Sequence, residues 1–333
     1  MKGAGSPASR HNDLLSRYRS DIEQRLFQRV EGKKPYTVYD PIRYVLKSGG
    51  KRFRAVLLLL SCEAVGGQAK KALDAAAAIE ILHNFTLVHD DVMDHAGLRR
   101  GLPSVPKKWD ENVAILAGDE MIAQAYRTLL KTDSPNLRQI LAVYTRALVE
   151  VCEGQGFDKE FEKEEKISLS RYFNMIKKKT ASVIAASAEI GGLIGRGRGR
   201  QIRALREYGE QLGRAFQVRD DLLDVIGNEK EFGKKIGGDI QEGKKTFLLV
   251  KAVQKADGAD LRLLRMIKPS CRMNRRQISR IRRIYQSTGA IDSARREIGS
   301  STRRAQRALQ VLPESGPKSL LLRLSEQLLE RTK

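Results

Sequence analysis

The sequence predicts an all-α protein, on three observations. Apolar residues recur at helical spacing along almost the whole chain, the alternating β-branched runs that mark strands are missing, and Gly and Pro fall where the periodic segments stop. With 333 residues, 41% of them hydrophobic, the chain can bury a substantial core. No linker longer or more polar than a loop divides it, so residues 13–333 read as one domain behind a flexible tail at 1–12. The opening MKGAGSPASRHND has no apolar segment behind its charges, and the longest apolar run, AVLLLL at 55–60, is far short of the roughly 20 residues of a membrane helix. A cytoplasmic protein is expected. Cys62, Cys152 and Cys271 are widely spaced and odd in number, which fits reduced thiols and no zinc site.

Taken in order, helices are expected over about 13–30, 40–66, 71–94, 111–131, 136–152, 168–193, 201–226, 244–256, 275–287, 290–311 and 318–330. Gly49-Gly50, Gly66-Gly67, Pro103, Pro135, Gly237-Gly238, Pro269 and Pro313 punctuate them. The segment DAAAAIEILHNFTLV (74–88) is apolar on nearly every face and should be a central helix surrounded by others. At its C-terminal end, where the helix dipole disfavours carboxylates, stand Asp90, Asp91 and Asp94. Residues four apart share a face, so Asp90 and Asp94 project together with Asp91 about 100° round. Such a pair suits a hard divalent cation. Mg²⁺ in particular takes one or two carboxylates and leaves its other positions to water and phosphate oxygens.

The same spacing returns in AFQVRDDLLDVIG (215–227), where Asp220, Asp221 and Asp224 interrupt another apolar helix face. Burying six unpaired carboxylates would cost several kcal/mol apiece, so cations are expected to share the space between the two clusters. Basic residues with phosphate chemistry accompany them. KSGGKRFRAV (47–56) joins a Gly-Gly turn to Lys51, Arg52 and Arg54, where backbone N–H groups can approach an anion and Arg supplies a bidentate fork. Arg99 and Arg100 follow the first cluster closely. KKKTASVI (177–184) sets Lys179 and Thr180 on another helix, and GKKIGGDIQEGKKTF (233–247) puts Lys234, Asp239 and Lys244 around glycines, a candidate lid over phosphates.

Net charge is +22, with 62 Lys and Arg against 40 Asp and Glu. The excess gathers in GRGRGRQIRALR (195–206) and between Arg262 and Arg307, and reads first as solvated surface. Neither stretch interleaves the aromatics that stack bases, so no nucleic-acid partner is expected, although added nucleic-acid binding through the Arg-rich stretches remains the alternative. The Gly-Arg repeat reads as an exposed loop, with a peripheral membrane-surface contact as its second reading.

In family order, the parts GGKRFR, HNFTLVHDDVMD, LRRGLPSV, LAGD (116–119), Gly154-Gln155, KKT, FQVRDDLLDV and the GKK, GGD, EGKKT lid resemble the trans-isoprenyl diphosphate synthases, or polyprenyl synthetases. The resemblance runs from about Tyr39 to Thr246, weakly to the C-terminus, and the wording is most similar to archaeal short-chain geranylgeranyl/farnesyl diphosphate synthases. It implies an isoprenoid-synthase-type helical bundle around a central apolar cavity. It also implies a Mg²⁺-dependent prenyltransferase that condenses isopentenyl diphosphate with dimethylallyl, geranyl or farnesyl diphosphate, and a homodimer. Asp90 and Asp94 would hold two Mg²⁺ ions and Asp220 a third, with Asp91, Asp221 and Asp224 supporting. Arg99, Lys179, Thr180, Gln217, Lys234 and Lys244 would contact the allylic diphosphate, with Arg99, Lys179 and Lys234 joining the aspartates as catalytic groups. Lys51, Arg54, His83 and Arg100 would bind isopentenyl diphosphate. Phe85 and Thr86, five and four positions before Asp90, lie at positions that set product length in related synthases. One is large and one small, which points to geranylgeranyl diphosphate with some farnesyl diphosphate. A noncatalytic subunit of a heteromeric synthase would show a broken aspartate motif, and both motifs here are intact. The chain departs from the usual wording in having Ala55 in place of proline, which bears on helix entry.

Overall fold

Four consecutive alanines, Ala75 to Ala78, let neighbouring helices approach α4 (Ala69–Met93) from every side, and all four are fully buried. The computed structural model describes residues 7–227, 237–269, 271 and 273–330, most of them helical. Before α4 come α1 (Pro7–Phe27), α2 (Tyr36–Lys47) and α3 (Phe53–Ala64). After it, an antiparallel hairpin of β1 (Leu98–Arg99) and β2 (Leu102–Pro103) leads to α5 (Val105–Lys108), α6 (Glu111–Leu129), α7 (Leu137–Lys163) and α8 (Leu169–Ile176). A π-turn (Lys177–Ala181) joins α8 to α9 (Ser182–Ile194), followed by α10 (Gly199–Ile226), α11 (Gly238–Gln241), α12 (Phe247–Val253) and α13 (Gly258–Arg265). The chain closes with α14 (Arg275–Ser287), α15 (Ala290–Ala308) and α16 (Gly316–Glu330). Among the described residues no helix is long and apolar enough to cross a membrane.

The chain divides into two compact units. Each is assembled from three stretches, so no single linker separates them and none is visible in the sequence. The first unit comprises Met1–Thr145, Ala186–Arg206 and Val311–Leu321. In it α4 packs against α6, α3 and α1, and every residue from Ala55 to Cys62 on α3 is buried. The Gly-Arg repeat belongs here. A Cβ at Gly195 would lie 2.4 Å from the Cys62 carbonyl oxygen, and one at Gly197 3.2 Å from Val65, so the glycines are the residues that allow this loop to lie on the end of α3. Arg196, Arg198 and Arg200 point outward and are exposed. The second unit comprises Arg146–Ala185, Glu207–Gln310 and Leu322–Lys333. Its core holds Tyr172, Phe247, Ile281, Ile284, Tyr285 and Ile298, with α12 packed on α15 and α14 paired with α15. A reciprocal capping box of Asn274 and Gln277 starts α14.

Several boundaries differ from the sequence reading, each for a local reason. The first helix starts at Pro7, where a missing N–H costs nothing, so residues 7–12 of the expected tail are helical. The single helix expected over 40–66 is broken, because Gly49 and Gly50 have φ of 78° and 133° and Arg52 adopts the left-handed region at 49°. The helix expected to end near 152 continues to Lys163, the one over 168–193 contains the π-turn, and α13 has no counterpart among the expected helices. The hairpin also escaped the pattern of strands. Its turn has positive φ at both central residues, Arg100 at 54° and Gly101 at 77°, and an arginine hides a position usually filled by Asn, Asp or Gly.

Candidate active site

In the first unit, the Gly-Gly turn delivers three basic side chains to three different fates. Lys51 is exposed. Arg52, 2% exposed, is pinned among three helices: its guanidinium donates to the Leu46 carbonyl at 2.6 Å and meets Glu23 of α1 at 3.3 Å and Glu80 of α4 at 3.4 Å. It therefore anchors the turn, and the anion-binding fork expected of this segment falls to Arg54. Arg54 donates to His83 Nε2 at 3.1 Å. Because arginine can only donate, that nitrogen is the acceptor and the ring proton sits on Nδ1. Burial, followed by the charges of Arg54 and Arg100, pushes the His83 pKa well below the ordinary histidine value, and His83 is neutral. Burial likewise lowers Arg54, to about 10, so it remains a cation at neutral pH.

The hairpin turn brings Arg100 back onto this patch, where it donates to the Gly49 carbonyl and, at 3.2 Å, to Ser48 Oγ. A Cβ on Gly50 would lie 3.2 Å from its guanidinium carbon, which explains the second glycine of the turn. Lys51, Arg54, His83 and Arg100 are thus carried by one stretch of the first unit, around the start of α3, the middle of α4 and the hairpin. The pocket beneath the hairpin, lined by Tyr44, Ser48, Asn84, Asp91, Arg99 and Arg100, has a volume of about 20 Å³, room for a water molecule and too little for a diphosphate.

The first aspartate motif closes α4. Asp91 is 2% exposed and accepts from Arg99 Nε at 2.9 Å and from its terminal nitrogen at 2.5 Å. Burial alone would lower the Arg99 pKa, but the hydrogen bond and charge of Asp91, with Asp90 and Asp94 behind it, raise it overall. Asp90 and Asp94 are half-buried, and Asp94 caps the helix with its N–H bonded to the Asp90 carbonyl at 2.8 Å. One turn earlier, Phe85 is buried and Thr86 Oγ1 donates to the His83 carbonyl at 2.8 Å.

The second motif closes α10 in the second unit and repeats that layout. Asp221, 3% exposed, accepts from Tyr172 Oη at 2.7 Å, from the Phe247 N–H at 2.8 Å and from Gln217 Nε2 at 3.0 Å. Burial outweighs these donors and holds its pKa up at about 6. Asp224 receives the N–H groups of Gly238 and Asp239 at 3.1 and 3.2 Å, fastening the end of α10 to α11. Asp239 is driven well above the usual carboxylate range by burial and then by Asp224. Asp220 is half-buried.

The π-turn sets the remaining groups. Thr180 Oγ1 donates to Gln217 Oε1 at 2.7 Å, which orients the amide so that its nitrogen faces Asp221. Lys179 Nζ reaches Asp158 on α7 at 2.6 Å. Helix α7 passes so near that a Cβ at Gly154 would lie 2.2 Å from the Lys179 backbone nitrogen. Lys244 pairs with Glu242 at 2.5 Å, and Lys234 lies outside the described residues. Tyr172 and Asp158 escaped the sequence reading, since their partners stand 49 and 21 positions away and no local pattern announces them.

Among the described residues no three His, Cys, Asp or Glu side chains converge on a ready-made metal cage. The donor set nevertheless fits Mg²⁺: half-buried carboxylates, one or two per ion, with no thiolate or imidazole among them.

A family model described as polyprenyl synthetase matches residues 35–286. The chain is 38% identical to the short chain isoprenyl diphosphate synthase of Methanothermobacter thermautotrophicus, over 96% of this chain and 98% of that one. It is 34% identical to the geranylgeranyl diphosphate synthase of Methanosarcina mazei, over 96% and 97% of the two chains. The crystal structure of geranylgeranyl pyrophosphate synthetase from Pyrococcus horikoshii matches with a TM-score of 0.92 at 35% identity, covering 97% of this chain and 99% of that one.

Proposed function

The chain belongs to the polyprenyl synthetase family and is a prenyltransferase, and from that premise we propose that it condenses isopentenyl diphosphate with dimethylallyl, geranyl and farnesyl diphosphates. Its main product is geranylgeranyl diphosphate, with some farnesyl diphosphate, and each cycle releases diphosphate. The observation that carries the reading is the shared layout of the two aspartate motifs. In each, the middle carboxylate is held by protein donors, Asp91 by Arg99 and Asp221 by Tyr172, Gln217 and Phe247, while Asp90, Asp94 and Asp220 stand at half-buried positions.

On this reading Asp90, Asp94 and Asp220 would hold three Mg²⁺ ions, which would supply positive charge to the departing diphosphate. Asp91 and Asp221 fix the register of each motif. Arg99, Lys179, Lys234 and Lys244 bind the allylic diphosphate with Thr180 and Gln217, and Arg54, Arg100, Lys51 and His83 bind isopentenyl diphosphate. The allylic C–O bond breaks with its electron pair leaving on diphosphate, and the basic side chains stabilise that new charge more in the transition state than before it. The double bond of isopentenyl diphosphate then attacks the delocalised cation, a carbon–carbon bond forms, and the proton lost from the adduct passes to the departing diphosphate. Neutral His83 suits a binding role, since its Nδ1–H can donate to a diphosphate oxygen.

Product length is gauged on α4. Phe85 and Thr86 precede Asp90 by five and four residues, about 6 to 8 Å along the helix axis. Phe85 forms the floor against which the growing chain stops, and Thr86 leaves the room that a second aromatic would remove. A homodimer is the expected assembly. Incubating the purified protein with Mg²⁺, labelled isopentenyl diphosphate and each allylic primer tests the whole reading. A dominant C20 product supports it, and no product from any primer would overturn it.

A further inference from the structure

On α4, Phe85 and His89 stand one turn apart, and their rings meet edge to face with centroids 4.8 Å apart and planes at 70°. The His89 ring is itself seated on α6. Its Nε2 lies 3.3 Å from the Ile115 carbonyl oxygen and 4.0 Å from the Asp119 carboxylate. Since that carbonyl only accepts, Nε2 carries the proton in this contact. Between Ile115 and Asp119 the helix has Gly118, and a Cβ there would lie 2.1 Å from Nε2 and 2.4 Å from Cδ2. The imidazole occupies the volume that any side chain at 118 would need. Its edge therefore rests on helix backbone, which cannot yield as a side chain could.

From this stack we infer that His89 is a positioning residue for product length: it braces Phe85 against α6, and Gly118 is the seat that receives the brace. The inference rests on the proposed role of Phe85 as the floor. A phenylalanine ring has two side-chain torsions and turns aside unless its neighbours hold it. Each isoprene unit added to the chain gains apolar contact by pushing deeper, so an unbraced ring yields to the product. With His89 in place the push is transmitted to the backbone of α6. His89 contacts no reacting atom in this scheme, and its effect passes through Phe85.

The test sizes the products of the wild type and of His89→Ala, His89→Phe, Phe85→Ala and His89→Ala/Phe85→Ala, in the presence of Mg²⁺, labelled isopentenyl diphosphate and farnesyl diphosphate. The share of products beyond C20 should rise at least about threefold in His89→Ala, while kcat for the first condensation changes by less than about threefold. His89→Phe keeps a flat ring between Phe85 and Gly118 and should retain the wild-type distribution. In the Phe85→Ala background, losing His89 should add nothing, because the two residues act as one unit. If Phe85→Ala lengthens the products and His89→Ala does not, the brace is wrong and the floor stands. If neither lengthens them, the floor itself is wrong. An equal further shift from His89→Ala in the Phe85→Ala background would also overturn the brace, since His89 would then act independently. Should His89→Ala melt below the assay temperature, His89→Asn carries the same expectations.

Discussion

The hydroxyl of Tyr172 donates to Asp221 at 2.7 Å, and both residues are buried. That bond, with the Phe247 N–H and the Gln217 amide, sets Asp221 apart from Asp90, Asp94 and Asp220. Asp221→Ala strands the Tyr172 hydroxyl, the Phe247 N–H and the Gln217 amide, at a cost of about 3 kcal/mol or more. Its melting temperature should fall by several degrees. Asp90→Ala, Asp94→Ala and Asp220→Ala remove half-buried carboxylates; each should melt above Asp221→Ala and lose at least about 10²-fold in kcat, as when one electrostatic donor to a developing charge is removed. Thermal melts and steady-state rates on the four variants check both halves. Wild-type turnover in Asp90→Ala at saturating Mg²⁺ would refute the ion-binding role.

His83 should make stability depend on pH. Its folded-state pKa lies well below the unfolded value, through burial and then Arg54 and Arg100. A depressed histidine contributes stability that is present above its unfolded pKa of about 6.5 and is lost as pH falls toward the folded one. The melting temperature should therefore decline below about pH 6.5, and His83→Gln should decline less. Parallel curves for the two proteins would show that His83 is not the group responsible.

Arg100 sits at φ 54°, where a side chain costs about 1 kcal/mol and glycine costs nothing. Arg100→Gly and Arg100→Ala lose the same guanidinium, so both should raise KM for isopentenyl diphosphate by at least about 10-fold, the worth of one charge-assisted contact. Yet the glycine variant should be the more stable of the two, by about 1 kcal/mol in denaturant titration. An alanine variant as stable as the glycine one would mean that the turn changes shape when the arginine is removed.

Thr86 offers the complementary test of the length gauge. Thr86→Phe adds a second ring at the depth of Phe85 and should shift the main product from C20 to C15, leaving the rate of the first condensation nearly unchanged. Chromatography of the products from dimethylallyl diphosphate reads the outcome. An unchanged distribution would place the floor on another helix.

What the sequence made legible was periodic or local. The alanine run foretold α4, and the duplicated aspartate spacing foretold two helix ends, because both signals are contained within a few turns. The fate of each basic residue was not legible. Arg52 and Arg54 read alike in GGKRFR, but one is buried among Glu23, Glu80 and a carbonyl while the other faces His83. Their partners come from other helices, and only packing decides between them. Tyr172 and Asp158 were missed for the same reason. The Gly-Arg repeat invited a reading through its charge, whereas two of its glycines, Gly195 and Gly197, are seated against the end of α3 at Cys62 and Val65. Lys234 and the first residues of the expected lid, 233–236, lie outside the described residues.

The π-turn at Lys177–Ala181 has a consequence for heredity. A π-turn holds one residue more than the α-helical turn it replaces, so losing a single residue there would restore plain α-helix and rotate α9 by about 100° relative to α8. Helix α9 has no room for that rotation: a Cβ at Gly209 would lie 2.5 Å from the Ala185 Cα, and one at Gly213 2.5 Å from the Ala181 Cα. Exchanging the exposed Lys177 for another residue alters a charge, but deleting one codon changes which side chains reach α7 and α10. Over generations the gene can drift in spelling across this segment, and it cannot drift in length.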